Sequence, residues 1–180
     1  MKNVLLFVWE IVQIAIVAMV IVLPIRYFVF QPFFVRGESM EPNFQNGDYL
    51  IIDELSYRIR EPQRGEVIVF KYPNDTSQRY IKRIIGLPGE TIEIEDGQVV
   101  VLDQAGEKTL EEGYLSAGTY TLGEIKKTLS ADEYFVLGDN RFFSSDSRRW
   151  GTVPEKDIIG RVLLRAWPPT AMAKIETPQY

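Results

Sequence analysis

The sequence predicts an all-β domain of coiled antiparallel, barrel-like sheets, carried behind one N-terminal transmembrane helix. Three observations predict it. A single apolar run, Val4 to Ile25, stands at the N-terminus. Short β-branched and aromatic segments, separated by Gly, Pro, Asn or Asp, recur through the rest of the chain. No sustained 3.6-residue periodicity follows residue 30. With 180 residues the chain is long enough to bury a core without disulfides or metals.

The first element is the anchor, residues 1–26. As a helix, Val4 to Ile25 would span about 33 Å, against a hydrocarbon core of roughly 30 Å. Only Glu10 and Gln13 interrupt it, and Pro24 falls at its end, where a helix breaker costs little. A cleaved signal peptide would have a shorter apolar core and a small-residue exit. Here Arg26, Tyr27 and Phe28 follow instead, so the run reads as an uncleaved anchor. Lys2 on one side and Arg26 with Arg36 on the other nearly balance, so charge does not orient it. The aromatic segment from Tyr27 to Val35 suits a membrane–water interface and also opens the first buried strand.

Residues 27–180 form the second unit. Strands are expected at Tyr49–Ile52, Val67–Phe70, Tyr80–Ile85, Thr91–Glu95, Val99–Leu102, Tyr134–Leu137 and Ile158–Ala166. Asp96-Gly97, between TIEIE and QVVVL, marks a hairpin. From Glu90 to Glu133 there are eleven acids and three bases, which reads as a solvated excursion holding a hairpin and a loop. From Arg58 to Arg83 the balance reverses, with seven bases and three acids.

Composition excludes several chemistries. The net charge of −5 argues against a nucleic-acid partner. The chain has no cysteine, hence no disulfide framework, thiol nucleophile or thiolate metal site. It has no histidine, hence no Ser–His–Asp triad and no HExxH zinc site. Hydrolysis at neutral pH would have to use a carboxylate or an unusual lysine.

Three segments carry groups able to do so. The first is Gly37-Glu38-Ser39-Met40-Glu41-Pro42, just past the anchor. The second is Arg79 to Ile85, a strand in which Tyr80, Lys82 and Ile84 share one face and Arg83 points the other way. If that face is the core face, Lys82 is desolvated and its pKa falls. The third is Gly138-Asp139-Asn140-Arg141 through Ser144, Asp146, Ser147 and Arg148. Each alone also has a plain reading: a turn serine, a lysine on a solvent face, and a surface ion pair worth under about 1 kcal/mol.

In this order, behind an anchor, the three segments resemble the motifs of bacterial type I signal peptidases. Gly47-Asp48, Arg64-Gly65-Glu66 before VIVF, and the continuation Ile85-Gly86-Leu87-Pro88-Gly89-Glu90 extend the resemblance over nearly the whole chain. The short excursion looks like the Gram-positive-type enzymes, which lack a large inserted domain. The resemblance implies the β fold shared by signal peptidases and self-cleaving repressor-type peptidases. It makes Ser39 the nucleophile and Lys82 the general base, the remaining way to activate a serine without histidine. Ser144 matches the serine that orients the lysine amine. Asp146 and Arg148 match an ion pair that shapes the site, and Asp139 and Arg141 look like scaffold charges. Met40, Phe44 and Tyr80 match positions near substrate pockets. The oxyanion would meet the Ser39 N–H; with Gly37 two residues upstream, no side chain adds a second donor. Asn43 departs from the usual Thr after Pro, and is expected to bear on a turn rather than on the chemistry.

By the same resemblance, the protein is a membrane-anchored serine endopeptidase acting on exported preproteins at the phospholipid surface. Its N-terminus would be cytoplasmic and its catalytic domain extracytoplasmic, in the cell membrane. Substrate would add as a strand, with Ala-like residues at −1 and −3. No cofactor and no metal is implied. Three other readings compete: another Ser–Lys peptidase such as a self-cleaving repressor-type protein, a carboxylate-pair hydrolase using Asp139 and Asp146, and a tethered β module that binds exported peptides without cutting them.

Overall fold

The computed structural model describes residues 2–28, 30–178 and 180, without the side chains of residues 2, 3, 5 and 21–30. Helix α1 (Lys2–Phe28) comes first. Every described side chain from Val4 to Val20 is exposed, on all faces of the helix. Among the described residues no helix is long and apolar enough to cross a membrane. The side chains of Pro24, Arg26, Tyr27, Phe28 and Phe30, on which the helix-end and interface readings drew, lie outside the described residues.

The rest is mostly β-sheet. The main sheet contains β1 (Phe30–Phe34), β2 (Tyr49–Asp53), β3 (Val67–Tyr72), β4 (Asp75–Gly86), β9 (Glu133–Leu137), β10 (Val153–Pro154), β11 (Ile158–Trp167) and β12 (Ala173–Lys174). Its order is β1-β2-β11-β3-β4-β9-β10, with β12 paired to β11. A second sheet, β7-β6-β5-β8, is built from β5 (Thr91–Glu95), β6 (Gln98–Asp103), β7 (Gly106–Thr109) and β8 (Ile125–Thr128). The barrel-like expectation is corrected here: neither sheet closes. β1 and β10 are not paired with each other, so the main sheet keeps two ends.

Local chemistry accounts for the elements. β3 is central, between β11 and β4, and reads VIVF without alternation because both its faces are covered. Val67 and Val69 join a cluster with Val35, Met40, Phe44, Leu50 and Ile81. Ile68 and Phe70 join Ile84, Tyr134 and Val136 on the other face. The β5–β6 hairpin turns at Asp96 and Gly97, both with positive φ (50° and 80°), the geometry that a two-residue Asp-Gly turn supplies. β4 begins five residues before the expected strand and passes into a sheet interior at Ile81.

The acidic excursion is a folded part of the core. Ile92, Ile94, Val99, Val101, Leu110 and Leu129 are buried with Ile85, Phe135 and Leu137 of the main sheet. Its acids divide by the strand period: Glu93 and Glu95 alternate with buried Ile92 and Ile94.

Candidate active site

A turn places the serine. Gly37 has φ +86°, which favours glycine, and its N–H donates to Asn46 Oδ1 at 3.0 Å. The chain then turns through residues 38–44, closed by Phe44 N–H donating to Met40 O at 2.9 Å. Met40 and Phe44 are carried inward by this turn and are fully buried in the core. They therefore support the serine turn from beneath. Tyr80 lines the cleft.

Strand β4 places the lysine. Tyr80 and Ile84, two residues to either side of Lys82, pack into one apolar cluster. Lys82 is 4% exposed, and its amine lies 5.8 Å from the centre of the Tyr80 ring. Lys82 Nζ is hydrogen-bonded to Ser39 Oγ at 2.7 Å and donates to Ile81 O at 2.8 Å. Burial lowers the Lys82 pKa to about 8, against the pull of the Asp146 and Asp139 carboxylates, which favour the ammonium. A neutral amine has two N–H groups and a lone pair. With one N–H held by Ile81 O, the lone pair is free to face the Ser39 hydroxyl. The arrangement can remove the serine proton without imidazole, metal or cofactor.

The cleft above this pair has a volume of about 550 Å³. Pro32, Phe33 and Phe34 of β1 form one wall; Arg79, Tyr80 and Ile81 of β4 form another. Among the described residues β1 is paired only with β2, and its other edge carries no strand. β4 pairs with β9 only from Arg83 onward, so its stretch up to Lys82 also has one free edge. Both free edges border the cleft. The Ser39 N–H donates to no protein acceptor among the described residues.

The segment after β9 supports the serine turn. Asn140 N–H donates to Ser39 O at 3.1 Å, and Asn140 Nδ2 donates to Glu38 O at 3.0 Å. Gly138 is where the two turns touch. A Cβ there would fall 2.4 Å from Ser39 O and 2.2 Å from Ser144 Oγ. Ser144 is thus beside the dyad and buried, yet among the described residues its hydroxyl makes no hydrogen bond, and none links it to the Lys82 amine. Asp146 accepts from Gly138 N–H at 3.1 Å and from Arg148 Nε and Nη2 at 2.8 and 2.9 Å. Arg148 Nη2 also donates to Arg141 O at 2.8 Å.

Asp139 and Arg141 are both buried; Arg141 N–H donates to Asp139 O at 3.1 Å, but their side chains pair elsewhere. Asp139 is bidentate to Arg83, with Arg83 Nε and Nη2 at 2.9 and 2.6 Å. Arg141 pairs with Glu112 of the excursion and also donates to Thr121. Four residues of this support were missed from sequence. Arg83 was read only as pointing away from Lys82. Glu112 was counted as solubilising charge. Tyr114 stacks on the Arg83 guanidinium at 4.1 Å. Asn43 Nδ2 donates to both Asp139 Oδ2 and Tyr114 O at 2.9 Å, and so ties the serine turn to the excursion. The signal for Arg83 and Asn43 was their closeness in sequence to Lys82 and Ser39; for Glu112 and Tyr114 there was none.

Comparison with known proteins places the chain among signal peptidases. The family model described as "Signal peptidase, peptidase S26" matches residues 8–167. A probable signal peptidase I-2 from Synechocystis sp. is 40% identical over 166 residues, covering 88% of this chain and 73% of that protein. A signal peptidase I from Leptolyngbya laminosa is 40% identical over 169 residues, covering 89% of this chain and 80% of that protein. A crystal structure of a signal peptidase I from Enterococcus faecalis V583 matches with TM-score 0.49 at 34% identity, over 58% of this chain and 98% of that one.

Proposed function

Because the chain belongs to the signal peptidase family, peptidase S26, and is a serine peptidase, we propose that it cleaves signal peptides from exported preproteins with Ser39 as nucleophile and Lys82 as general base. The observation that carries this reading is the 2.7 Å contact between the Ser39 hydroxyl and a buried amine. Lys82 takes the serine proton as Oγ attacks the scissile carbonyl, and returns it to the leaving amine. The Ser39 N–H receives the developing oxyanion. Asp146, Arg148, Asp139 and Arg141 hold the two turns in register, and Ser144 packs where they meet at Gly138. Substrate enters as an added strand between the free edges of β1 and β4. Tyr80 and the aromatic wall of β1 crowd the cleft, which favours Ala-like residues at −1 and −3.

Helix α1 anchors the enzyme in the cell membrane as a single pass, with the catalytic domain outside the cytoplasm. Its support is the apolar run from Val4 to Ile25 and the exposure of Leu6, Phe7, Trp9, Ile14 and Val20. Protease added to spheroplasts is expected to degrade the domain while α1 stays protected. A domain that resists until the membrane is permeabilised would reverse the orientation.

The pH profile tests the dyad directly. A base must be unprotonated to accept a proton, so kcat/KM is expected to rise with pH and level off above about 8, where Lys82 is neutral. Activity that is flat from pH 6 to 9 would remove Lys82 as the base.

A further inference from the structure

A second cavity, of about 410 Å³, borders the catalytic cleft at Arg79. Arg79 belongs to both: it lines the catalytic cleft and this cavity. Three more bases converge there from separate elements: Arg58 from the 3-10 turn Ser56–Arg58, Lys71 from β3, and Lys156 from the 3-10 turn Glu155–Asp157. None of the four is in an ion pair among the described residues. One acid, Glu54, faces them, and its Oε1 is buried without a hydrogen-bond partner. Four cations around one carboxylate, in a chain whose net charge is −5, is a local reversal of sign. The surplus charge is unspent within the protein.

Position says what would spend it. Gln31 of β1 lines the cavity and is three residues past the end of α1 at Phe28. Three residues reach at most about 10 Å. The headgroup layer of each leaflet is about 5–7 Å thick. Leu55 and Ile59, on either side of the Ser56–Arg58 turn, are exposed, Ile59 by 82%. Bases beside exposed aliphatic side chains suit a lipid interface.

We propose that this cavity binds the phosphodiester headgroup of an anionic phospholipid and so fixes the height and tilt of the catalytic cleft over the membrane. The proposal rests on the membrane placement of α1 given above and not on the peptidase chemistry. Arg58, Lys71 and Lys156 hold the phosphate oxygens, and Arg79 links the bound headgroup to the cleft wall. Glu54 opposes binding.

Binding of fluorescent phosphatidylglycerol to the full chain, in neutral detergent micelles and a Ser39→Ala background, tests this without requiring catalysis or any orientation in a bilayer. The triple variant Arg58→Gln/Lys71→Gln/Lys156→Gln is expected to lose about tenfold or more in affinity. A control with the same charge change elsewhere, Lys108→Gln/Lys127→Gln/Arg149→Gln, should stay within about twofold. Glu54→Gln should tighten binding, which guards against reading a misfolded triple variant as a lost site. Equal losses in both triples would reduce the effect to diffuse charge and overturn the site. Competition by millimolar glycerol phosphate as strong as that by the lipid would make it a site for free phosphate and overturn the lipid assignment. So would unchanged lipid binding accompanied by a raised KM, in the Ser39 enzyme, for a preprotein acidic before its cleavage site.

Discussion

Ser39→Ala and Lys82→Met are each expected to lower kcat/KM for preprotein processing by at least about a thousandfold while the protein stays folded. The size follows from the geometry. Among the described residues Ser39 Oγ has one proton acceptor within hydrogen-bond reach, the Lys82 amine at 2.7 Å, and the chain has no histidine to replace it. A carboxylate-pair hydrolase built on Asp139 and Asp146 would survive both changes. That alternative is weakened because both carboxylates are buried and already bound by Arg83 and Arg148. Retention of a tenth of wild-type activity by either variant would sink the dyad.

Stability should move the opposite way in Lys82→Met. The folded-state pKa of about 8 lies below the ordinary 10.5 because burial disfavours the ammonium. The unfolded chain therefore binds this proton more tightly than the folded one. Below pH 8 the cost of holding the charged lysine is fully present, roughly 3 kcal/mol. It shrinks as pH rises from about 8 to 10.5 and vanishes above. Thermal unfolding near pH 7 should then show Lys82→Met at or above the wild-type melting temperature, with the gap closing at alkaline pH. A variant that is inactive and also less stable at pH 7 would mean that the lysine is a packing residue.

How far the sequence could be read depended on the range of the interactions. β3, β5, β6 and β9 were legible because burial on one or both faces writes a local pattern into the chain. β7 (GEKT) is exposed throughout and β8 (IKKT) nearly so, and so neither carries a pattern. Closure was misjudged for a related reason: whether β1 meets β10 is set by pairing between distant strands, which local alternation does not encode. Ser39 and Lys82 were legible through their motifs. Their support was not. Arg83 and Asp139 are 56 residues apart, Arg141 and Glu112 are 29 apart, and no local spacing announces either pair. Met40 and Phe44 were placed near substrate by the resemblance alone, and their burial depends on how the turn packs. The turn that exposes Ser39 sends both of them into the core.

Breaking the Arg83–Asp139 pair from one side is expected to cost about 3–5 kcal/mol, more than removing both partners together. Each side chain is at most 4% exposed, so a lone survivor would be a charge left without water or a counter-ion. In Asp139→Leu the Arg83 guanidinium keeps only Gly65 O at 2.8 Å and the Tyr114 ring. In Arg83→Met the Asp139 carboxylate keeps only Asn43 Nδ2 at 2.9 Å among its side-chain donors. The double variant Arg83→Met/Asp139→Leu removes both charges and fills the space with apolar atoms. In denaturant unfolding in one detergent, the double variant should therefore lose less stability than the sum of the two single losses, by about 2 kcal/mol or more. Additive losses would mean that the pair is not coupled. Activity separates the structural role from the catalytic one. Asp139 lies between Gly138 and Asn140, whose contacts fix the Ser39 turn, so loss of the pair should lower kcat by misplacing Oγ. The alkaline-rising limb should keep its midpoint near 8, because burial, and not the Asp139 charge, is the dominant influence on Lys82. A limb displaced by a full pH unit in a folded Arg83→Met/Asp139→Leu variant would instead make this pair a direct electrostatic partner of the base.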